Sequence, residues 1–379
     1  MIKKLLAWAI IYLFNCFPIK KNKIFFFSYY GSQYGDSPKY ITEYILKNYP
    51  EDRFDVVWAF NNIEEKAHLT DFRKVKIMTL RYFYELCTSK VIITNFRTTD
   101  LFVKRKGQYY IQTWHSSLRL KQIEKDSEKS LSPQYIQMAK KDSLKCDLLL
   151  SGCEYSTKIF KRSFWYDGEI LECGTPANDI LFKDELNIKD NIFKRLSIPK
   201  DYKIVLYAPT FRKSSDISVY NLEFQELLTS LSTRFGGKWM LLLRLHPHLT
   251  NLSNEFKNTK NFLNVTLYDD VQELMYISDV LITDYSSVMF SFLLTKKPCF
   301  LYMPDLPDYL KNDRKLYFDI EELPYSYART NQELLENING FNDKKYERDI
   351  LNMLTKINSY DDGNASARLL NKIENELKI

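Results

Sequence analysis

At 379 residues the chain exceeds the size at which one hydrophobic core keeps growing, so two domains of about 180 residues each are expected. A hydrophobic fraction of 45% and a charged fraction of 27%, with no low-complexity run or internal repeat, exclude a disordered chain. The net charge of +6 fits an anionic substrate or an anionic membrane surface, whereas no zinc-finger spacing, RNP-type aromatic motif or long Lys/Arg tract points to nucleic acid.

The chain opens with MIKKLLAWAIIYLFNCFPIKKNK, an apolar run from Leu5 to Phe17 set between Lys3 and Lys4 on one side and Lys20, Lys21 and Lys23 on the other. The run is short of the roughly 20 residues a membrane span needs, and no small-residue cleavage site follows it. Residues 1–22 are therefore expected to form an amphipathic helix lying in the cytoplasmic face of a membrane, with lysines at the headgroups; a secretory signal is the alternative. The six cysteines, Cys16, Cys87, Cys146, Cys153, Cys173 and Cys299, form no CxxC pair and read as reduced residues of a cytosolic protein.

Beyond this segment, short apolar runs alternate with helix-length stretches. KIFFFSYY, RFDVVWAF, KVKIMTL, KVIITNF, GQYYIQTW, LLLSGC and EILECG read as strands, with SPKYITEYILKNY and SPQYIQMAKKDSLK as helices between them. Buried strands separated by helices predict a parallel sheet covered on both faces. A lysine-rich stretch from Lys183 to Lys203 makes the domain junction, giving a first domain over 23–198 and a second over 199–379. In the second, KIVLYAPTF, WMLLLRLHP, NVTLYD, DVLITDY and PCFLYM are the strands, NLEFQELLTSLSTRF and SSVMFSFLLT the helices, and the last helix, ASARLLNKIENELKI, is a candidate to cross back to the first domain. The predicted architecture is α/β: two doubly wound, Rossmann-like domains facing a central cleft lined by the carboxyl ends of their strands.

Four strand ends carry candidate chemistry. His115, in QTWHSS, lies just past a strand's carboxyl end, where an imidazole suits a general base; a satisfied structural histidine is the bland alternative. Arg244 and His246, in LLLRLHP, end a second strand that Pro247 stops, while His248 and His68 read as solvent-facing. Thr283, Asp284, Tyr285, Ser286 and Ser287 form the turn between a strand and the apolar helix that follows, a place where N–H groups and hydroxyls hold an anion, or where Asp284 or Ser286 merely caps the helix. Thr210 and Arg212, in APTFR, set a hydroxyl and a guanidinium at a fourth strand end. The segments SSLRLKQIEKD and STKIFKRSFWY suit a membrane-facing surface, and a solvated helix with a core face explains each nearly as well. There is no GxGxxG, Walker motif, HExxH or GxSxG, and no metal-ligand spacing, so nothing requires a cofactor, although a donor-bound Mg ion is compatible.

Read in order, SPKYITEYIL, QTWHSSLRLKQIEKD, CGTPANDILF, LYAPTFR, LLLRLHP and DVLITDYSSVMFSFLLTKKPCFLYMPDLPDY resemble the CDP-glycerol glycerophosphotransferase family of teichoic acid and related cell-surface polymer synthesis. The resemblance implies a GT-B-like fold, peripheral attachment to the inner face of the bacterial plasma membrane, and transfer of a polyol phosphate from a CDP-activated donor to a hydroxyl of a lipid-linked or polymer acceptor, with release of CMP. It implies that His115 and His246 are catalytic, that Thr210, Arg212, Arg244 and Thr283 to Ser287 bind the donor, and that Ser116 and Ser117 lie on the acceptor side. The sequence departs from the family at Ser116, where glycine is usual, and at Ala177, where arginine is common; acceptor or donor choice is expected to respond to both. The rival readings are a GT-B glycosyltransferase using a nucleotide sugar, a CDP-ribitol-specific enzyme, and a catalytically silent membrane-associated protein of the same fold.

Overall fold

The structure is a computed structural model and describes residues 2–212, 218–246, 249, 256–312 and 315–377. It divides into two compact units, the first made of 1–117, 123–179 and 359–379, the second of 118–122 and 180–358.

The first unit is built on a seven-stranded parallel sheet: β1 (Lys20–Phe27), β2 (Asp55–Phe60), β3 (Arg73–Lys76), β4 (Ser89–Thr94), β5 (Tyr109–Gln112), β6 (Leu148–Ser151) and β7 (Glu169–Glu172), in the order β3-β2-β1-β4-β5-β6-β7. Strand alternation divides the core. Ile24 and Phe26 of β1 face one side with Val56 and Trp58, where α2 (Asp36–Asn48) supplies Ile41 and Ile45. Phe25 and Phe27 face the other with Val57 and Ala59, where α3 (Leu80–Thr88) supplies Phe83 and Leu86. Side chains of one strand leave alternately by the two faces, so a run such as IFFF must be apolar throughout when both faces are covered. The helices α4 (Pro133–Lys145) and α5 (Glu154–Ser163) complete the β5 to β7 half, and the basic STKIFKRSFWY segment is α5 with Ile159, Phe160 and Phe164 buried, an ordinary core face.

The N-terminal run forms α1 (Ile2–Phe14), and β1 begins at Lys20, within the stretch assigned to the helix by sequence. Ala7 and Ile11 are buried against the α3 side of the sheet, while Leu5, Leu6, Trp8, Tyr12, Leu13 and Phe17 remain exposed. Lys23 is not at the surface: it is fully buried, its ammonium donating to Glu85 and, at 2.7 Å, to Thr88 Oγ1. No helix among the described residues is long and apolar enough to cross a membrane.

The second unit carries a six-stranded parallel sheet of β8 (Tyr202–Tyr207), β9 (Lys238–Leu243), β10 (Phe262–Asn264), β11 (Val280–Thr283), β12 (Cys299–Tyr302) and β13 (Ser326–Ala328), ordered β10-β9-β8-β11-β12-β13. Val205, Leu241 and Ile282 pack with Leu227 and Leu231 of α7 (Phe224–Phe235). The unit starts nearer Ile180 than residue 199, because α6 (Leu186–Leu196) joins it, with Arg195 Nη2 2.6 Å from Glu273 Oε2 of α8 (Val271–Ile277). The strand expected over NVTLYD is instead β10, Phe262–Asn264, and Asp270 caps α8 by accepting from the Gln272 N–H. The segment Leu118–Gln122 pairs with Lys315 to Tyr317 and buries Leu118 and Leu120 in the unit. The last helix, here α13 (Ala365–Leu377), belongs to the first unit, with Leu369, Leu370 and Ile373 in the α2 side of its core.

Candidate active site

In each sheet the winding reverses once, between β1 and β4 in the first and between β8 and β11 in the second. Connections there leave toward opposite faces and open a crevice at the carboxyl ends of the strands, where such sheets bind ligands. The sequence-selected residues cluster at these reversals.

In the first unit, β4 runs into Asn95. The Tyr29 N–H, at the end of β1, donates to Asn95 Oδ1 at 3.0 Å, which fixes which side-chain atom is oxygen. Next to it, His115 Nδ1 lies 3.2 Å from the Asn95 carbonyl oxygen. A carbonyl only accepts, so Nδ1 carries the hydrogen and Nε2 is the basic nitrogen of the neutral ring. The imidazole is exposed, with its centroid 4.4 Å from that of Trp114. Trp114 has φ +55°, a conformation that bulky residues rarely adopt, and its N–H is held by Gln112 Oε1 at 2.9 Å. The loop is held again at Ser117, whose carbonyl accepts from Ser156 Oγ at 2.6 Å and whose hydroxyl donates to Asp361 Oδ2 at 2.7 Å. Ser117 is buried and Ser116 half-buried, so of the two acceptor-side serines only Ser116 presents surface. Ala177 is likewise buried, its N–H 3.3 Å from Ser37 Oγ of α2.

In the second unit the structure gathers Thr210, Arg212, Asp284 and Tyr285 into one cluster. Both oxygens of Asp284 accept from the Thr210 N–H at 2.8 and 2.9 Å, and Thr210 Oγ1 donates to Oδ1 at 2.5 Å. Arg212 Nη2 reaches Asp284 Oδ2 at 2.8 Å, and its Nε donates to Asp305 Oδ2 at 2.6 Å. Tyr285, fully buried, donates its hydroxyl to Asp305 Oδ1 at 3.1 Å and stacks on Tyr309 at 3.5 Å. Burial works against the Arg212 charge, but Asp284 and Asp305 outweigh it and push its pKa further up, so the guanidinium stays charged. These contacts, together with the Thr283 hydroxyl donating to the Ala208 carbonyl at 2.7 Å, hold the turn together from within. The side chains the turn presents outward are Ser286 and Ser287, both half-buried, ahead of the short helix α9 (Val288–Phe292). At the end of β9, Arg244 Nη2 lies 3.4 Å from the Tyr268 carbonyl, and His246 is exposed with its ring 5.8 Å from that of Phe211. Pro247 and His248 lie outside the described residues.

Sequence reasoning missed Asn95, Asp305 and Asp361. Asn95 ends a strand as His115 does, and the same rule would have found it. Asp305 and Asp361 sit in irregular segments whose partners are distant in sequence, so no local spacing marks them. No group of acidic, His or Cys side chains among the described residues is arranged to hold a metal ion.

A family model described as CDP-Glycerol:Poly(glycerophosphate) glycerophosphotransferase matches residues 10–375. The chain belongs to this family. The resemblance read from the motifs is thus borne out, and the chain is an enzyme, a transferase. It is 34% identical to a teichoic acid poly(glycerol phosphate) polymerase of Staphylococcus epidermidis over 95% of its own length but only 51% of that protein's, so it spans about half of that relative. It is 30% identical to the enzyme of the same description from Bacillus spizizenii, covering 94% of this chain and 93% of that one, and 31% identical to a teichoic acid glycerol-phosphate transferase of Staphylococcus aureus, covering 98% of each. Among solved structures, the wall teichoic acid polymerase TagF aligns with a TM-score of 0.85 at 30% identity over 99% of this chain and 97% of that one, and a histidine variant of it was soaked with CDPG. The GT-B-like fold read from the resemblance is therefore the fold of the chain.

Proposed function

We propose that the chain moves glycerol phosphate from CDP-glycerol to a hydroxyl of a lipid-linked or polymer acceptor in teichoic acid synthesis, at the cytoplasmic face of the plasma membrane. The family match over residues 10–375 carries the reading. The acceptor oxygen attacks the phosphorus that bears glycerol; the new O–P bond forms as the bond to the bridging diphosphate oxygen breaks, and CMP leaves with that electron pair. The acceptor's proton passes to His115 Nε2, the basic nitrogen left by the bond from Nδ1 to Asn95. Donor phosphate is held by Ser286, Ser287 and neighbouring N–H groups, with Arg244 and His246 supplying positive charge and donors. Arg212 and Asp284 act one step back, by fixing Thr210 and the turn. Ser116, in the place of a glycine, narrows the acceptor side next to His115.

The experiment is incubation of the protein with CDP-glycerol, CDP-ribitol or a nucleotide sugar and a lipid-linked acceptor, with CMP release and product mass as readouts. CMP and a product heavier by one or more glycerol phosphate units are expected. Turnover of CDP-ribitol alone would move the donor assignment, and release of a nucleoside diphosphate would favour a glycosyltransferase.

A further inference from the structure

The last segment of the chain returns to the first unit and enters the layer of turns behind His115. The Tyr360 N–H donates to the Gly152 carbonyl at 2.9 Å, and Asp179 accepts from the N–H groups of Ala365 and Ser366, each at 2.9 Å, which caps α13. Between these anchors, Asp361 projects into the gap between the His115 loop and the turn after β7. Its carboxylate receives three donors: Ser117 Oγ at 2.7 Å, the Thr175 N–H at 2.6 Å and Asn178 Nδ2 at 3.3 Å. The gap admits little else. A Cβ on Gly152 would stand 2.4 Å from Thr175 Oγ1 and 2.5 Å from Ser117 Oγ, so glycine is required for strand β6 to pass beneath this knot.

We propose that Asp361 is a positioning residue for the transfer reaction, holding the His115 loop through Ser117 and so fixing the imidazole against Asn95. The need for such an anchor follows from the loop itself. Trp114 adopts a left-handed backbone at φ +55°, and a bulky residue keeps that conformation only where its surroundings over-determine it. Upstream, the loop is tied at Gln112 and Asn95; downstream, it is tied at Ser117, by its hydroxyl to Asp361 and by its carbonyl to Ser156 Oγ. All three donors that meet the carboxylate are neutral. Half-buried, with loss of solvent outweighing those three donors, its carboxyl is pushed up to about 6, so the knot has its full acceptor capacity only above that pH.

This inference rests on the transferase reading, and its test separates the two. Asp361→Asn keeps the shape but sets an amide against three donors. It is expected to lower kcat for CMP release by about 10- to 100-fold, the size of effect that misplacing a catalytic group has, with KM for CDP-glycerol within about 2-fold. Ser117→Ala should lower kcat comparably, and the double variant should lose no more than the worse single one, because both changes cut the same tie. The structural readout needs no substrate: the His115 imidazole NMR signals, assigned with His115→Ala, should shift in both variants. Unmoved His115 signals or a wild-type kcat in either folded variant would overturn the proposal, as would fully additive losses. If Asp361→Asn does not fold, Ser117→Ala alone decides. His115 signals that shift in a protein inactive toward every CDP-polyol would leave the positioning intact and fell the functional reading instead.

Discussion

His115 Nδ1 and the Asn95 carbonyl oxygen are 3.2 Å apart, a contact that joins the end of β5 to the end of β4, the strand that borders the reversal of winding in the first sheet. It sets the tautomer of the one histidine at that end of the sheet. In the proposed transfer this would make His115 a directed base, with Nε2 free to receive the proton while Nδ1 is held. His115→Ala is expected to reduce CMP release from CDP-glycerol by about 100-fold or more with unchanged thermal unfolding, the loss typical of a removed general base. Turnover within a few-fold of wild type in a folded variant would remove His115 from the reaction.

A second relationship concerns stability. The Glu85 carboxylate is fully buried on α3 and receives the Lys23 ammonium from β1 together with Arg73 Nη1 at 2.6 Å from β3. Burial alone would raise its pKa, but hydrogen bonds from Arg73 and Lys23 overcome this and hold the carboxyl at about 2 instead of 4.5. A depressed folded pKa means that the unfolded chain binds the proton first. This stabilisation is therefore full above the ordinary carboxylate range and is lost as pH falls from about 4.5 toward 2. Glu85→Gln should flatten the dependence of urea unfolding on pH between those limits. Lys23→Met should cost about 2 kcal/mol near neutral pH, the size of a lost hydrogen bond to a charged group, since Arg73 and Arg81 still hold the carboxylate. Equal unfolding midpoints for Lys23→Met and wild type would contradict this account.

Much of the fold was legible because its strands are buried on both faces and short: runs such as VVWAF and VLITD have no other place to go. In the first unit this holds for β1, β2, β4, β5 and β6, whereas β3 and β7, mostly half-buried or exposed, were legible only as short apolar runs. What escaped was marginal by the same measure. Strand β13 has only three residues, two of them exposed, and α12 (Asp343–Ile357) begins with a charged run that reads as a loop. The strand ends bearing His115, His246 and the Asp284 turn were legible as candidates because ligands of such sheets bind where the strands end. The contacts within the turn were not: that Arg212 is held by Asp305, 93 residues on, has no local signal. Asp361 was hidden for the same reason, 244 residues from Ser117.

The Arg212 arrangement distinguishes a brace from a contact. Its guanidinium bridges Asp284 and Asp305, and a lysine, with one compact charge in place of a planar fork, cannot serve both carboxylates. Arg212→Lys is expected to lower the melting temperature and weaken CDP-glycerol binding together, and Arg212→Ala to cost about 3 kcal/mol because two carboxylates lose their partner. Calorimetric melting and donor titration on the same samples measure both effects. A variant that melts like wild type yet binds donor about 10-fold more weakly, near 1.4 kcal/mol, would make Arg212 a direct donor contact.

The exposed face of α1 makes the proposed attachment to membrane testable without disturbing the core. Ala7 and Ile11 anchor the helix on the first unit, so the outward residues Leu5, Leu6, Tyr12, Leu13 and Phe17, exposed by 44 to 64%, are apolar for some reason other than the core. A helix lying in the headgroup region gains roughly 1.5–3 kcal/mol for each large apolar side chain it buries there. Lys20 and Lys21, both exposed beyond the helix, add up to about 1 kcal/mol each toward anionic lipid, whereas Lys23 adds none because its charge is already paired inside. Leu6→Glu combined with Leu13→Glu should abolish sedimentation with anionic vesicles while leaving the unfolding midpoint within about 0.5 kcal/mol of wild type, as expected for surface changes. Lys20→Glu with Lys21→Glu should weaken binding at low salt and little at high salt, where the Debye length falls to about 3 Å. Ile11→Glu, by contrast, should destabilise the unit itself, because it buries a charge against Phe83 and Leu86. Full sedimentation of the Leu6→Glu and Leu13→Glu double variant would move the attachment away from α1, and binding of the intact chain that resists every salt concentration and yields only to detergent would replace interfacial lying with insertion.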